Sequence, residues 1–410
     1  MNPWRGLAGL PRASYLIACA TFINRAGVMV RPFLVVYLVQ HVGLSEGYAA
    51  WMLSLYGATA IASATLSGWL ADRFGAARVL RSSLVVATAA ILLFPLAGTE
   101  LTVALCTVVF ALFNEMPRPA LMTLVADVAP PELRKQAFVL SRVAVNLGLA
   151  IGPALGGFIA EFSYVAIFWV DAAASLAAAC LLMRTQLPVA PHATRPDGSA
   201  VSVLLRDRAL LLFFAATVLS AVVFFQHDST LAYWMTEVLG QRKFEYGLTI
   251  TLNTLLIVLV EVELNTRLAH WSHRRSLVFG GVLTAVGFGA MAFATGFWSI
   301  CATVVIWTFG EMIAMPAMSA FVADLAPPNR RGLYMSTLML AFGSGLTIGP
   351  KLGMTLFLAH GAVVLWLAVG VVGLLSVALY SLMPSRSPKP ADGVGEGAGG
   401  PAEVDVGVSG

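Results

Sequence analysis

Charge is what this sequence most lacks. Only 11% of its 410 residues are Asp, Glu, Lys or Arg, against about 25% in a soluble globular domain. Water does not solvate a surface so poor in charge. A content of 59% hydrophobic residues and a mean hydropathy of +0.83 suit a chain whose solvent is lipid. These figures exclude a cytosolic enzyme, a nucleic-acid binder and a secreted disulfide scaffold. Cysteine is scarce too. Cys19, Cys106, Cys180 and Cys301 lie far apart in apolar stretches with no CxxC. They frame neither a disulfide scaffold nor a zinc site and are expected as small buried residues. The six histidines are scattered, and no glycine loop for a nucleotide is present. A membrane-embedded enzyme would need a clustered metal set or a nucleophile beside a base, so the chain reads as a non-enzyme with no metal and no cofactor. Long strict alternation is also missing, which excludes the strands of a membrane barrel. Helices are the remaining way to span a bilayer.

A crossing helix needs about 20 mostly apolar residues. Twelve segments qualify, near 14–39, 48–71, 79–97, 101–126, 137–160, 164–183, 209–239, 246–266, 276–295, 298–323, 333–358 and 361–383. The first is too long for the apolar core of a signal peptide and reads as a retained span. With the N-terminus placed in the cytoplasm, 18 of the 25 lysines and arginines fall at the inner face, and only Arg242 and Lys243 fall in outer loops. This asymmetry predicts that both termini are cytoplasmic, in a bacterial-type inner membrane. Residues 184–208, with Pro188, Pro191 and Pro196, read as a cytoplasmic linker between a six-helix bundle over 1–183 and a second over 209–383. The tail 384–410, rich in Gly, Pro and acidic residues, is too poor in apolar side chains to fold and is expected to be disordered.

The second half repeats the first. The stretch from Asn114 through Gly157 matches the stretch from Gly310 onward at a constant offset of 197. Asp127 pairs with Asp324, Pro130-Pro131 with Pro327-Pro328, Arg134 with Arg331, Gly148 with Gly345, and Gly152-Pro153 with Gly349-Pro350; Glu115 and Glu311 match at one residue less. Long-period self-similarity marks a duplicated architecture. In a membrane it implies two bundles around a central binding region. The fold class expected is therefore all-α, with twelve transmembrane helices in two pseudo-symmetric six-helix bundles.

Two motifs sharpen this. The loop after the second segment contains Gly68, Asp72, Arg73, Gly75 and Arg78. Its glycines allow a tight turn, Asp72 suits a neighbouring helix N-terminus, and Arg73 and Arg78 can pair with carboxylates such as Asp127. The corresponding loop in the second half, Leu268 to Arg275, is degenerate. The fifth segment carries Gly148, Gly152, Pro153, Gly156 and Gly157. Glycines four apart let helices approach closely, and Pro153 favours a kink. Together these motifs resemble those of the major facilitator superfamily, and the fifth-helix motif resembles that of its drug:proton antiporters. The resemblance covers residues 14 to 383. It implies a rocker-switch transporter driven by an ion gradient and leaves the solute open; H⁺ is read as the coupling ion and a small organic molecule as the substrate. The fifth-helix motif points to export; proton-coupled symport or facilitated uptake of a metabolite or peptide is the alternative. A monomer in lipid, with no nucleic-acid partner, is expected.

Charged side chains at mid-bilayer cost about 2.5–3.5 kcal/mol each on insertion scales, so each needs a partner, water or a role. The acids there are Glu115, Asp171, Asp228, Glu261, Glu263 and Glu311; the bases are Arg25, Arg31, Arg118, Arg142 and Lys351. Glu115 and Arg118, three apart on one helix face, either neutralise each other or take part in coupling, with Pro117 and Pro119 kinking that helix. Glu311 has no basic residue within four positions. Desolvation favours the neutral form of such a carboxyl, which makes Glu311 the first candidate to carry a proton, followed by Glu115 and Asp228. Asp228 and Arg31 stand at the repeat offset and can form a pair across the bundles. Arg25, Arg31, Arg118 and Glu261 are candidates for the substrate cavity, Arg25 for carboxylate recognition. Arg142 is expected to be structural, Glu263 solvated, and Asp171 has no assigned role. Among Trp51, Tyr56, Phe113, Phe224, Phe225, Tyr233, Trp234, Trp307 and Phe342, a minority is expected to line an apolar cavity.

Overall fold

The computed structural model describes residues 9–130, 133–187, 205, 207–268, 270–326 and 331–383. Most of the expected linker 184–208, the whole expected tail 384–410, Pro131, Pro327, Pro328 and Arg330 lie outside the described residues, as do the side chains of Asp72, Arg134, Lys135 and Arg331. All regular structure among the described residues is helical. Ten helices are long and apolar enough to cross a membrane. The last of these, over Tyr334–Ser381, is two spans that meet at Gly361, whose φ of 82° breaks the helix. The seventh span is a shorter helix, Arg208–Phe224, carried on by Thr230–Tyr233 and the π-helical Trp234–Val238. The count is thus twelve.

The ends of the spans follow from local chemistry. Ser45, Thr99, Ser163, Asp207 and Ser272 each accept a backbone N–H in the first turn of the helix they precede, satisfying donors that would otherwise be unpaired. Gly75, at φ 88°, closes the second span (Glu46–Phe74) and opens the third (Ala76–Leu93) in one turn. The repeat reaches into these details. The third and ninth spans both end in a 3₁₀ turn, Phe94–Leu96 and Met291–Phe293. The helices after them are both capped by a hydroxyl in the first turn, Thr102 receiving Thr99 N and Ser299 receiving Gly296 N.

Each half packs its fifth helix against its first through a glycine row. A Cβ at Gly148 would lie 2.8 Å from Ala26 N, at Gly152 3.0 Å from Ala26 O, and at Gly156 2.9 Å from Met29 Cβ. In the second half, a Cβ at Gly345 would lie 2.7 Å from the Ala221 carbonyl carbon, at Gly349 3.2 Å from Val222 O, and at Gly353 2.7 Å from Gln226 Cδ. The three pairs keep the 197 offset. Gly157 faces the other half instead: its Cβ would lie 2.9 Å from Phe244 Cα. Gly247 of the eighth span (Lys243–Arg267) packs equally tightly on Pro153 and Ala154. The halves meet along the fifth and eighth spans, the second and eleventh, and the first and seventh.

What those glycine rows embrace are two broken helices. The first span divides at Gly27–Met29, between Arg12–Ala26 and Val30–Gln40. The seventh divides at 225–229 and is not the continuous helix expected over 209–239. At the first break Pro32, in the first turn of the second helix, cannot donate to the carbonyl of Val28; no proline stands at the second. Side chains satisfy the freed backbone groups, which membrane-depth backbone requires. Asp171 of the sixth span (Tyr164–Met183) accepts from Met29 N and Val30 N, both at 3.2 Å. Gln226 donates to Val222 O at 3.0 Å and Gly349 O at 2.9 Å, and Tyr246 donates to His227 O at 3.0 Å. Asp171, unassigned from sequence, is thus the cap of the second half of span one.

The cysteines differ from expectation. Cys19 and Cys180 are exposed, Cys106 and Cys301 half-buried, and all four are free. In a lipid-facing helix an apolar residue has no reason to turn inward, so position in an apolar run does not predict burial.

Candidate functional site

Arg31 and Asp228 occupy equivalent positions in the two halves, and they touch: Arg31 Nη1 lies 2.9 Å from Asp228 Oδ2. Two equivalent residues in contact must sit on the axis relating the halves. A second such pair, Gln40 and Glu237, hydrogen-bonds nine residues further along each chain. The axis therefore runs between the first and seventh spans. Asp228 is almost wholly buried. Its Oδ2 has no aligned hydrogen-bond donor, so the contact with Arg31 is ionic rather than directional. His227 Nε2 stands 3.1 Å from Asp228 Oδ1. The separation of about 100° expected for adjacent helical residues does not hold, because 225–229 is not helical. His227 Nδ1 lies 2.6 Å from Phe224 O, and its ring stands beside Phe224 and Trp307.

The two repeat-related acids have parallel surroundings. Tyr56 of the second span donates to Glu115 at 2.7 Å and accepts from Asn114 at 2.8 Å. Asn253 of the eighth span donates to Glu311 at 2.8 Å and to Thr308 at 3.0 Å. Tyr56 and Asn253 are again 197 apart. The acids differ in the charges around them. Glu115 lies in the field of Arg118, Arg31 and Arg25. Glu311 is half-buried, with no cation within 4.0 Å among the described residues; His227 is its nearest-acting positive neighbour in the core.

Other expectations need correction. Glu115 and Arg118 form no ion pair within 4.0 Å. The fourth span loses a hydrogen bond between them at Pro117, which cannot donate, although Met116 keeps helical dihedrals. Arg118 is exposed and Arg25 half-buried, and both act on Glu115. Glu261 is not left free for a substrate: both its oxygens bond Arg142 Nη2. Arg142 is on the fifth span and Glu261 on the eighth, so this pair joins the halves. Glu263 pairs with Arg267 at the exposed helix end. Trp51 is exposed, whereas Tyr56, Tyr233, Trp234 and Trp307 are buried.

The face opposite the basic loops is closed. There Tyr164 bonds Gln40, Tyr233 donates to Glu46 at 3.2 Å, and Lys243 lies 4.1 Å from the centre of the Tyr164 ring. Lys351 of the eleventh span donates from Nζ to Gly47 O at 3.1 Å and from its backbone N to Ser54 at 3.2 Å. On the basic-loop side, Arg73 lies 5.5 Å from the rings of Trp69 and Phe74, Arg78 is exposed, and Asp127 is an engaged carboxylate near the end of its helix. The degenerate second loop keeps a link to the residue equivalent to Asp127: His273 Nε2 lies 2.9 Å from Asp324 Oδ2.

Sequence reasoning missed His227, Tyr56 and Asn253 as site residues. Extending the 197 offset outward from the matched block would have paired Tyr56 with Asn253. The polar run Gln226–Thr230 inside an apolar span marks the position of His227, but its contact with Asp228 depends on the broken helix.

Comparison with known proteins agrees with this architecture. The sequence model of the Major Facilitator Superfamily matches residues 17–261 and 227–405. An uncharacterised MFS-type transporter, YttB of Bacillus subtilis (strain 168), is 28% identical over 92% of this chain and 96% of its own. A Na(+), Li(+), K(+)/H(+) antiporter of Planococcus maritimus is 26% identical over 83% and 88%. The quinolone resistance protein NorA of Staphylococcus aureus is 22% identical over 84% and 89%. Among solved structures, a peptide transporter POT in complex with alafosfalin superposes with a TM-score of 0.78 over 92% of this chain and 95% of its own, at 18% identity. The match over most of the chain, together with the duplicated twelve-helix fold, shows that this protein belongs to the Major Facilitator Superfamily.

Proposed function

We propose that this transporter is a proton-coupled antiporter that exports a small organic molecule, a drug or metabolite, by alternating access. The observation that carries the reading is Glu311: a core carboxyl held by Asn253, which also bonds Thr308, with no cation against it among the described residues. An acid so placed is free to exchange a proton as each side of the membrane gains access to it. Glu115, held by Tyr56 but surrounded by arginines, and Asp228, held between Arg31 and His227, act as charge partners. Arg25 and Arg118, which both act on Glu115, contact a substrate that enters between the halves. The glycine row at Gly148, Gly152 and Gly156 lets the fifth helix move against the first without side-chain interlock. The antiporter and the quinolone resistance protein among the relatives support exchange and export.

The test uses purified protein in liposomes with an imposed proton gradient. Internal pH is followed while lipophilic cations, neutral drugs, alkali cations, sugars and short peptides are added. Compound-dependent collapse of the gradient that vanishes in Glu311→Gln is the expected result. Substrate movement without proton flux, or full activity in Glu311→Gln, overturns the assignment. Proton and compound moving in the same direction would replace antiport by symport.

A further inference from the structure

We propose that His227 is a second proton-binding residue of this transporter, one that locks the cross-half contact between Arg31 and Asp228. The inference rests on the proton-coupled mechanism proposed for Glu311 and adds to it the group that converts a proton into a change of shape.

The surroundings of the ring point to its charge. Nδ1 lies 2.6 Å from the carbonyl oxygen of Phe224, and Nε2 lies 3.1 Å from a carboxylate oxygen of Asp228. A carbonyl oxygen only accepts. An ionised carboxylate only accepts, and Asp228 is held in that form by Arg31 at 2.9 Å. A neutral imidazole has one N–H and one lone pair, so it satisfies one of these contacts and points a lone pair at the other. A proton on both nitrogens, the imidazolium, suits both contacts: a hydrogen bond to Phe224 O and an ion-pair contact with Asp228. In this arrangement, closed on the face opposite the basic loops, His227 carries a proton.

Its loss has a defined consequence. One ring nitrogen then faces an acceptor with a lone pair in a water-poor site, where such a mismatch is costly. The segment most able to relieve it is the non-helical 225–229 turn that carries both His227 and Asp228. Movement of this turn withdraws Asp228 from Arg31, whose contact lacks a directed hydrogen bond. Because Arg31 and Asp228 sit on the axis between the halves, that contact is one of those that must open for the halves to rock. The proton leaves to water at the 13% of the His227 side chain that stays exposed. Protonated His227 therefore favours the arrangement closed on the outer face, and deprotonation favours its opening. For an exporter this order is productive: the proton-loaded carrier turns inward and the proton-free carrier is released to turn outward.

The charged and titratable groups facing His227 are Asp228 on its own segment, Arg31 from the first span, Glu311 from the tenth and Tyr246 from the eighth. Glu115 and Tyr56 act on it through Arg31. Glu311 is the one partner that itself exchanges a proton in the antiport mechanism. An ionised Glu311 favours the imidazolium, so the two sites exchange influence across the interior.

The experiment reads shape, not transport. Gly98 and Thr295 are exposed, equivalent positions in the turns before the fourth and tenth spans. Spin labels are placed there as Gly98→Cys and Thr295→Cys, with the four native cysteines replaced by serine, and the distance between them is followed against pH in lipid nanodiscs. In the parent protein the closed-to-open ratio falls with rising pH, by up to about tenfold per pH unit for a single linked proton. In His227→Gln the step is lost, and in His227→Arg the closed form persists at every pH. Glu311→Gln keeps a step. A full parental step in His227→Gln, or no step in the parent, overturns the proposal. Nitrogen NMR of labelled histidine, with His227→Gln identifying the resonance, is an independent readout: a singly protonated ring in the closed form overturns it. The liposome assay with Glu311→Gln decides the antiport mechanism separately, so either conclusion can fail without the other.

Discussion

Removing the charge of Asp228 distinguishes a contact that sets the conformational equilibrium from a merely structural ion pair. At 2.9 Å the gross attraction between Arg31 and Asp228 is about 6 kcal/mol at an effective dielectric constant of about 20. Desolvation of both groups cancels much of this, yet breaking a buried pair by deleting one partner costs about 3–5 kcal/mol. Arg31 keeps 23% of its side chain exposed, which places the loss at the lower end, about 3 kcal/mol. The cost falls on the arrangement that contains the contact, so Asp228→Asn shifts the closed-to-open ratio of the face opposite the basic loops by about two orders of magnitude. Arg31→Gln is milder. Asp228 keeps its second cation, His227 at 3.1 Å, and the expected loss is about 1 kcal/mol, roughly fivefold. Asp228→Asn, by contrast, leaves Arg31 and His227 as two like charges with no anion between them. The double variant should recover part of the Asp228→Asn loss, because it removes one of those charges. The assay is the distance between labels at Gly98→Cys and Thr295→Cys at constant pH, with thermal unfolding as a control for the fold. All three variants within twofold of the parent, or a larger effect of Arg31→Gln than of Asp228→Asn, would refute the reasoning.

Packing and capping set three more expectations. A Cβ at Gly57 would lie 2.7 Å from the Leu346 carbonyl carbon and from Thr347 N, between the halves, so Gly57→Ala should open the contact of the second and eleventh spans at a cost of about 1–3 kcal/mol; label distances should change with little change in melting temperature. Gly345→Ala meets Ala221 inside one half, and there the same overpacking should lower the melting temperature itself. Asp171→Leu removes the acceptor of two buried N–H groups and should cost about 1–3 kcal/mol for each, whereas Asp171→Asn keeps an acceptor oxygen and should melt close to the parent.

The twelve spans, the repeat and the membrane setting are legible because each is written in many residues. Apolar length is a sum over some twenty positions, and the 197 offset is a match over dozens. The Arg31–Asp228 contact is legible for the same reason, since the offset names both members. What escapes is decided by single backbone events. The seventh span reads as one segment because the five polar residues that interrupt its apolar run, Gln226–Thr230, include neither Pro nor Gly; Gln226 and Tyr246 make the break there possible by donating to its carbonyls, and Thr230 by donating to Gln226. With the helix broken, His227 and Asp228 face each other, which a helical wheel forbids. Glu115 and Arg118 fail in the opposite sense. Their spacing of three suits a helix face, but Glu115 takes its hydrogen bond from Tyr56 of another span and Arg118 is exposed. Glu261 shows a third limit: its partner, Arg142, is 119 residues away in sequence, and no local pattern connects them.

The duplication also explains why the central residues differ between halves that otherwise agree so closely. Away from the axis, equivalent positions never meet, and the same residue can serve in both, as in the glycine rows and Asp127 and Asp324. On the axis they must meet. Two arginines or two aspartates there would place like charges in contact in a buried site, with no partner to offset the desolvation of either. The axial positions are therefore the ones at which a duplicated transporter has to break its own symmetry, and here they read Arg31 against Asp228 and Gln40 against Glu237. Once broken, the symmetry also separates the roles of the two core acids. Glu115 falls on the side of Arg31 and is surrounded by cations, while Glu311 falls on the side of Asp228 and is not. Exchanging the axial charges, as Arg31→Asp with Asp228→Arg, should thus weaken the hold on Glu115 and load Glu311 with a neighbouring cation. If Glu311 carries the proton as proposed, coupling in liposomes should then suffer less from Glu311→Gln than in the parent, while Glu115, still near Arg118 and Arg25, takes over at most a part. Coupling that still depends on Glu311 alone in the exchanged protein would show that the axial pair does not set which acid carries the proton.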